Sequence, residues 1–480
     1  MIQELNGFSD FVIKMMREGE VLGLAIGIIK DKEVILSQGF GFRDTEKGLN
    51  VTSKTLFAIG SCTKAIAAVS MGILVDEGKL DWDKPVKDYM PDFRMYDPYV
   101  TENMTPRDLL THRSGLPRHD LVWYGSSLKR KELIERLRYL EPSKGFRSKY
   151  QYQNLMYVTA GYLVGHIAGC SWEEFAQKHI LDPLEMKTTN FSVTESQKSP
   201  DFALPYKKDN DEIRKIPFYF NDEMGSAGTI NSNVDDMIKW LLFNLNKGKY
   251  NEKQIISEVN LNQIHSPQIF MESTLSKYKE VLFANYGMGW NIQPYRGHII
   301  IAHGGNIDGF TSLTTFMPQY NIGIIILTNI NSTPITDIVA FNVYDRLLGL
   351  EEIPWNQRAK EDIAKAKEAK EEAKKKSMAE RKEGTQPSHP LEDYAGTYEH
   401  PAYGVITIEV DDNALKAFYN SRPCSLKHYH YDTFEVTGDL FDIMKFTFST
   451  DTRGNINNLS APLEASVRDI IFTRLQNKAK

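Results

Sequence analysis

Hydrophobic residues recur along the chain at two spacings, and each spacing predicts a different secondary structure. Near the N-terminus, Phe8, Val12 and Met15 lie at helical spacing, which predicts an amphipathic surface helix and neither a cleaved leader nor a membrane anchor. Two β-rich runs follow, LGLAIGIIK and EVILSQGFGF, joined at Asp31 and Lys32. This arrangement predicts an antiparallel hairpin.

The middle of the chain has mainly helical periodicity, from about residue 61 to residue 245. Thr105 is a candidate N-cap with Pro106 at the first helical position and Asp108 at the third, and Gly115 closes that segment. Strand patterns return in HIIIAHGG, FTSLTTFMP and NIGIIILTN. The order of strands, helices and strands predicts an α/β (α+β) fold, in which one antiparallel sheet is built from both ends of the domain and carries a helical lobe.

The composition changes near Pro354. Residues 359–383 are mostly Ala, Lys and Glu, which predicts a helix that is polar on all faces and bridges domains through solvent; disorder is the alternative. After it, short aromatic and β-branched runs separated by turns predict a small antiparallel β-sandwich or barrel. The predicted parts are a main domain over 1–355, a charged helical linker over 356–388 and a β-barrel domain over 389–480.

Composition narrows the classes of partner and cofactor. The net charge is −6 with no basic block, which argues against nucleic acid, and no apolar run reaches the roughly 18 residues of a membrane span. We therefore expect a cytoplasmic protein with no membrane partner. Cys62, Cys170 and Cys424 are scattered, which favours neither a disulfide framework nor a metal site. His428 and His430 share a strand face but lack a third ligand, so we expect no metal and no other cofactor.

The candidate chemistry begins with Ser-x-x-Lys, a motif too short to be specific by itself. It occurs three times, at Ser61/Lys64, Ser126/Lys129 and Ser276/Lys279. The second and third copies lie in polar, charged surroundings. The first follows the strand-like run TLFAIG and opens SCTKAIAAVSMGILVDEG, whose apolar residues predict a buried helix. Only this setting suits a nucleophile.

Ser61 at a helix N-terminus would have the positive end of the helix dipole near the charge that develops during attack. A serine hydroxyl also needs a neighbouring base, and Lys64 lies on the same helix face. Burial is expected to lower the pKa of Lys64 toward neutrality, as a base requires. Cys62 is the competing nucleophile, but a small apolar residue packed in the helix is the favoured interpretation.

Six further segments occur in an order typical of one family: GKLDWDKPVKDYMP, TPRDLLTHRSGLP, YQNLMYVTAGYLVGHIAG, LDPLEMKTTNF, GSAGTINSNVDDMIKWL and YGMGWNI. The chain thus resembles the CubicO group of β-lactamase-related serine hydrolases, kin to class C β-lactamases, D-alanyl-D-alanine carboxypeptidases and D-aminopeptidases. The resemblance implies a β-lactamase/transpeptidase-like domain. The β-rich end resembles the lipocalin-like barrel often appended to such hydrolases.

The resemblance also implies roles for a Tyr-x-Asn motif, matched by Tyr152 and Asn154. Tyr152 would share proton transfer with Lys64, while Asn154 would hydrogen-bond Lys64 and the substrate amide. A phenol has an ordinary pKa near 10, so it needs a nearby cation to act as a base. Tyr150 is a decoy in the same segment, because only Tyr152 is followed two residues later by asparagine.

The family's third motif is usually Lys-Thr-Gly on a strand beside the cleft. Here His303, Gly304 and Gly305 stand in its place, followed by Asn306, and this variant resembles the D-peptidase and carboxypeptidase branch. By resemblance, the backbone N–H groups of Ser61 and Asn306 would form the oxyanion hole. His303 would hydrogen-bond Tyr152 or meet an anionic substrate group; an ordinary strand histidine with a satisfied partner is the alternative. The substitution argues against β-lactam turnover.

The predicted function is a serine peptidase that cleaves small peptides, including ones with D-residues, through an acyl-enzyme on Ser61. An esterase of the same fold, acting on small esters, is the closest alternative, and a noncatalytic binding or scaffold protein is the third. The charged linker and the appended barrel predict a homo-oligomer.

Overall fold

The computed structural model describes residues 3–209, 212–272, 278–420, 422–438 and 441–476, without the side chains of 441–443. Ser276, from the third Ser-x-x-Lys copy, lies outside the described residues. The fourteen α-helices of the described chain are α1 Phe8–Glu18, α2 Thr63–Asp76, α3 Val86–Tyr89, α4 Pro98–Asn103, α5 Pro106–Leu110, α6 Arg130–Glu135, α7 Asn154–Ala168, α8 Trp172–Ala176, α9 Val193–Ser196, α10 Val234–Leu245, α11 Glu258–Ile264, α12 Ile335–Leu347, α13 Trp355–Ala379 and α14 Leu391–Tyr394.

The strands of the described residues are given in two groups by their position in the chain, β1 to β15 and then β16 to β23. The first group is β1 Gly23–Lys30, β2 Glu33–Asp44, β3 Leu49–Asn50, β4 Phe57–Ala58, β5 Tyr206–Asp209, β6 Glu212–Lys215, β7 Asn231–Ser232, β8 Lys249–Tyr250, β9 Lys253–Gln254, β10 Ile269–Met271, β11 Ala284–Tyr286, β12 Asn291–Tyr295, β13 His298–Ile307, β14 Phe310–Met317 and β15 Ile322–Thr328. The second group is β16 Gly396–His400, β17 Gly404–Asp411, β18 Ala414–Tyr419, β19 Arg422–His430, β20 Thr433–Gly438, β21 Phe441–Thr450, β22 Ile456–Ala461 and β23 Ile470–Arg474.

The chain forms two compact units that interleave along the sequence. The first consists of residues 1–93, 102–114 and 146–359, and the second of residues 94–101, 115–145 and 360–480. Two segments that precede residue 145 therefore belong to the unit that contains the C-terminal strands. The domain boundaries proposed from sequence, at residues 355 and 388, remain a prediction.

The first unit is built on a nine-stranded antiparallel sheet in the order β10-β11-β12-β13-β14-β15-β1-β2-β3. The N-terminal hairpin β1–β2 pairs with β15, which confirms the prediction of one sheet built from both ends of the domain. Asp31 and Lys32 form the hairpin turn with φ angles of 51° and 70°, as a two-residue turn with left-handed backbone requires.

Helices cover both faces of this sheet. On one face α1 and α12 bury a hydrophobic cluster that includes Phe8, Val12 and Tyr344. On the other face α10 lies directly on β1, so closely that a Cβ at Gly27 would stand 2.7 Å from Val234. The predicted N-terminal amphipathic helix is thus confirmed, and glycine at position 27 permits the close approach of helix and strand.

The helical lobe holds the segment that contains Ser61 and Lys64. Residues 63–74 of α2 are all buried, so this helix is enclosed by the fold and not laid on its surface. The predicted cap at Thr105 is confirmed: its side chain accepts from the Asp108 N–H, and the Asp108 carboxylate accepts from the Thr105 N–H at 3.0 Å.

In the second unit, β16 to β23 close into an antiparallel barrel, which settles the choice between sandwich and barrel. Tyr398, Phe448 and Phe472 are among its buried rings. Helix α13 confirms the charged helix over disorder, and Trp355 is its one buried residue.

No described helix is both long and apolar enough to cross a membrane. Within the described residues, no group of three His, Cys, Asp or Glu side chains could hold a metal ion.

Candidate active site

Ser61 lies in a tight turn between strand β4 and helix α2. Residues Gly60–Cys62 form one turn of 3₁₀-helix, and α2 continues directly from Thr63. Gly60 has a φ of 49°, in the left-handed region that favours glycine, where the chain passes from β4 into this turn. The turn leaves Ser61 half-buried while Cys62 faces the interior.

Lys64 is fully buried, and its ammonium is surrounded by oxygen atoms. Nζ donates to Ser61 Oγ at 2.9 Å, to Asn154 Oδ1 at 2.9 Å and to the Ala227 carbonyl at 2.6 Å. These three acceptors match the three N–H bonds of a lysine ammonium. The lysine side chain is therefore held in one position, with one N–H aimed at the serine oxygen.

Tyr152 approaches the same serine from the other side. Its hydroxyl donates to Ser61 Oγ at 2.7 Å, and Lys64 Nζ lies 4.9 Å from the centre of its ring. Asn154 begins α7 and contacts Lys64, as described above. The structure thus brings together four of the predicted residues, Ser61, Lys64, Tyr152 and Asn154, around one oxygen atom and one nitrogen atom.

Two further tyrosines line the site, but neither is suited to move a proton. Burial raises the pKa of both Tyr157 and Tyr286 well above the ordinary value. Each hydroxyl already donates elsewhere: Tyr157 to the Leu110 carbonyl at 2.5 Å, and Tyr286 to His303 at 3.0 Å. Tyr152 is the one of the three that is both half-exposed and bonded to Ser61.

His303 is buried and fully bonded. Its Nδ1 lies 2.6 Å from the Gly304 carbonyl and its Nε2 lies 3.0 Å from the Tyr286 hydroxyl. Burial, and secondarily the positive charge of Lys64, lowers the pKa of His303 to about 3. The sequence-based expectation that His303 bonds Tyr152 is wrong in its partner, because Tyr286 occupies Nε2. A neutral ring also makes it a poor partner for an anionic group.

The low pKa of His303 predicts a specific loss of stability in acid. The folded state holds this imidazole neutral, whereas the unfolded chain protonates it near pH 6.5, so the unfolded state binds more protons below that pH. The contribution of His303 to the free energy of unfolding is fully present above pH 6.5. As the pH falls from 6.5 to about 3, this contribution should decrease by about 1.4 kcal/mol per pH unit. His303→Gln should remove this pH dependence. Urea unfolding of both proteins from pH 7 to pH 4 measures it, and parallel pH profiles would contradict it.

The end of strand β13 beyond Ala302 has one open edge. Among the described strands, β12 pairs with β13 only as far as Ala302, whereas β14 pairs with it through Ile307. A Cβ at Gly305 would stand 2.0 Å from the Ile59 carbonyl, so the strand lies directly against the turn that carries Ser61. Gly304 and Asn306 are exposed beside it. A substrate backbone therefore has room to pair along this edge.

The oxyanion-hole prediction concerns the backbone of Asn306. A Cβ at Gly60 would stand 3.1 Å from Asn306 N, so this amide lies beside the nucleophile turn. The Asn306 side chain is fixed by bonds from Thr311 Oγ1 at 3.0 Å and from the Ser332 N–H at 3.1 Å. The role of the amide stays a prediction.

Cys62, the competing nucleophile, is placed as a packing residue. Its thiol donates to the His303 carbonyl at 3.0 Å and lies 3.2 Å from Ser312 Oγ. Burial raises the pKa of this thiol, which disfavours the reactive thiolate.

Two contributors to the site were missed at the sequence level. Ala227 acts through its carbonyl oxygen, which leaves no side-chain pattern, although the GSAGT segment around it was recognised. His112 lies in the TPRDLLTHRSGLP segment, and its ring is 4.3 Å from that of Tyr152. No local spacing links His112 to Tyr152, because forty residues separate them.

Comparison with known proteins gives two family matches. A model for the β-lactamase family matches residues 8–343, and a model described as a domain of unknown function (DUF3471) matches residues 380–474. Unguisins hydrolase from Aspergillus campestris is 26% identical over 445 residues, which cover 87% of this chain and 81% of that protein. Protein flp from Staphylococcus aureus is 26% identical over 68% of this chain and 63% of its own length.

Solved structures share the fold. An octameric penicillin-binding protein homologue from Pyrococcus abyssi has a TM-score of 0.64 and 23% identity, and covers 98% of this chain and 100% of that chain. A D-amino acid amidase from Ochrobactrum anthropi has a TM-score of 0.60 and 23% identity, over 72% of this chain and 98% of its own. At these identities the likeness establishes the fold alone.

Proposed function

The chain belongs to the β-lactamase family, and from that premise we propose that it is a serine hydrolase that cleaves small peptides through an acyl-enzyme on Ser61. The family match agrees with the resemblance inferred from the motifs. One observation carries the proposal: Ser61 Oγ lies within hydrogen-bond distance of both Lys64 Nζ, at 2.9 Å, and the Tyr152 hydroxyl, at 2.7 Å. No other role accounts as well for a buried ammonium aimed at a half-exposed hydroxyl.

The proposed chemistry is acyl transfer in two steps. Ser61 Oγ attacks a carbonyl carbon while its proton passes to the Lys64–Tyr152 pair, which accepts that proton once one of the two groups has released its own to solvent, leaving a neutral amine or a phenolate. The N–H groups of Ser61 and Asn306 donate hydrogen bonds to the carbonyl oxygen and stabilise the negative charge that develops on it. The pair then returns the proton to the departing amine, which leaves as the C–N bond breaks. A water molecule deacylates Ser61 by the same proton transfers in reverse order.

The neutral His303 and the open edge of β13 support a proposal for the substrate class. A lysine at this position would attract a carboxylate, whereas a neutral imidazole bonded to Tyr286 does not. We therefore favour substrates whose leaving side is uncharged near the cleft: internal peptide bonds and amidated or esterified ends. The 26% identical relative named as an unguisins hydrolase supports hydrolysis as the reaction. Acceptance of D-residues remains part of the proposal.

The proposal is tested by intact-mass and peptide-level mass spectrometry after incubation with matched amides and esters. Each acyl group should be offered with D- and L-residues and with free and amidated C-termini. We expect an adduct on the peptide that contains Ser61, formed faster from the uncharged ends. Adducts from esters alone would favour the esterase alternative. If neither this library nor a fluorophosphonate probe modifies Ser61, the noncatalytic alternative would be favoured.

We also propose that the chain forms a homo-oligomer. The support is the octameric homologue, whose structure aligns over 98% of this chain. Light scattering across a range of concentrations tests this proposal, and a monomer at every concentration would contradict it.

A further inference from the structure

His112 lies directly behind Tyr152 and holds the backbone on both sides of it. The Gln151 N–H donates to the His112 carbonyl at 2.8 Å, and the Gln153 N–H donates to His112 Nδ1 at 3.0 Å. The imidazole also packs on the Tyr152 ring, with 4.3 Å between ring centres and 35° between ring planes. The His112 backbone thus holds Gln151, while its side chain contacts both the Gln153 N–H and the ring of Tyr152.

Near His112 in the chain lies an ion cluster centred on a buried carboxylate. Asp108 is fully buried, and its carboxylate accepts from Arg113 Nε at 2.6 Å and from Arg147 Nη2 at 2.7 Å. The backbone N–H of Arg147 also donates to the Arg113 carbonyl at 2.7 Å. The segments that carry His112 and Tyr152 are therefore tied together beside the site. His112 has a φ of 54°, a left-handed conformation that is strained for a non-glycine residue and persists where the surroundings enforce it.

We propose that His112 is a positioning residue for proton transfer: it fixes Tyr152 so that the phenol hydroxyl stays on Ser61 Oγ. The inference rests on the proposed function, because it assumes that Tyr152 moves a proton during acylation. Ser61 Oγ accepts hydrogen bonds from Lys64 and Tyr152, so we infer that His112 acts on Ser61 through Tyr152. Its Nδ1 must accept from Gln153, which places its ring proton on Nε2. A displacement of about 1 Å in a reacting group can lower the rate about 100-fold.

Two variants separate the two contacts of His112. His112→Asn keeps an acceptor near the position of Nδ1 and removes the ring, whereas His112→Phe keeps a ring on Tyr152 and removes the acceptor. We expect each variant to lower the maximal rate of Ser61 labelling by a fluorophosphonate about 10- to 100-fold. The probe concentration that gives half the maximal rate should stay within about twofold, because His112 is not part of the binding cleft.

A double-mutant cycle with Tyr152→Phe distinguishes positioning from a merely structural role. In that background the hydroxyl that His112 positions is already absent, so each His112 variant should lower the labelling rate by less than about threefold. Equal factors in both backgrounds would overturn the inference. Failure of both His112 variants to fold, seen as loss of a cooperative melting transition, would assign His112 to stability and would also overturn it.

A matched control comes from His179, whose ring stacks on Phe175 at 4.4 Å with 15° between the planes. His179→Asn removes a similar ring contact elsewhere in the first unit and should leave the labelling rate unchanged. The two proposals fail in different ways. Absence of Ser61 labelling in the wild-type protein would overturn the proposed function, whereas labelling with equal factors in the cycle would overturn only the role of His112.

Discussion

Ser61→Ala should lower hydrolysis by about 10⁵- to 10⁶-fold, the scale seen when a serine nucleophile is removed from a hydrolase. The reason is that no acyl-enzyme can form without Oγ, and neither Lys64 nor Tyr152 can replace it as the attacking atom. Folding should be retained. Lys64 keeps its bonds to Asn154 and Ala227, so the loss is about 1 kcal/mol or less of unfolding free energy. Initial rates measure hydrolysis, intact mass measures acyl-enzyme formation, and thermal melting measures stability.

Ser126→Ala is the control for this prediction, because Ser126 belongs to the second Ser-x-x-Lys copy. The motif is the same, but the setting is polar and its serine has no proposed role. We expect wild-type rates from Ser126→Ala and near-complete loss from Ser61→Ala. This result would show that activity depends on the structural surroundings of Ser61 and not on the four-residue motif alone. Activity within tenfold of wild type in Ser61→Ala would place the nucleophile elsewhere.

The parts of the fold that local sequence determines were predictable. The hairpin at Asp31 and Lys32 follows from β-rich runs separated by two residues, and the cap at Thr105 follows from its own four-residue pattern. The proximity of Ser61 and Lys64 is also local, because three residues along a helix return to the same face. In each case the physical interaction spans only a few residues.

The interactions that were missed depend on segments distant in sequence. His303 forms a hydrogen bond with Tyr286 and not with Tyr152, because the strand order of the sheet places β11 and β13 on either side of β12. The Ala227 carbonyl reaches Lys64 from 163 residues away. Likewise His112 contacts Tyr152 across two segments that the Asp108 cluster joins. Family resemblance supplied Tyr152 and Asn154, which spacing alone would not have selected.

Lys64→Met should separate stability from function more sharply than any other single change. Methionine has nearly the length of lysine and no charge, so it can occupy the same buried channel. Removing a positioned acid–base group costs about 10²–10⁴ in rate, and we expect the upper end because Lys64 bonds the nucleophile directly. Ser61 acylation by an amide, followed by quenched-flow mass spectrometry, measures the loss.

The stability of Lys64→Met should change little, because two large effects oppose each other. Burying an ammonium costs several kcal/mol in the wild-type protein, and methionine removes that cost. The variant also leaves the Ala227 carbonyl and Asn154 Oδ1 without the Lys64 donor, at about 1–3 kcal/mol each. We expect the melting midpoint to shift by only a few degrees, as for residues kept for function and not for stability.

Lys239→Met is the matched control for this last prediction. Lys239 Nζ donates to the Glu185 carbonyl at 2.5 Å and to Asp236 Oδ1 at 3.0 Å, so it too is a lysine tied to a backbone oxygen, although it is only partly buried. Its replacement should lower stability by losing an ion pair while leaving Ser61 acylation at the wild-type rate. If Lys64→Met instead unfolds the protein, or keeps acylation within tenfold of wild type, then the ammonium at Ser61 serves the fold and the proton acceptor must be sought elsewhere.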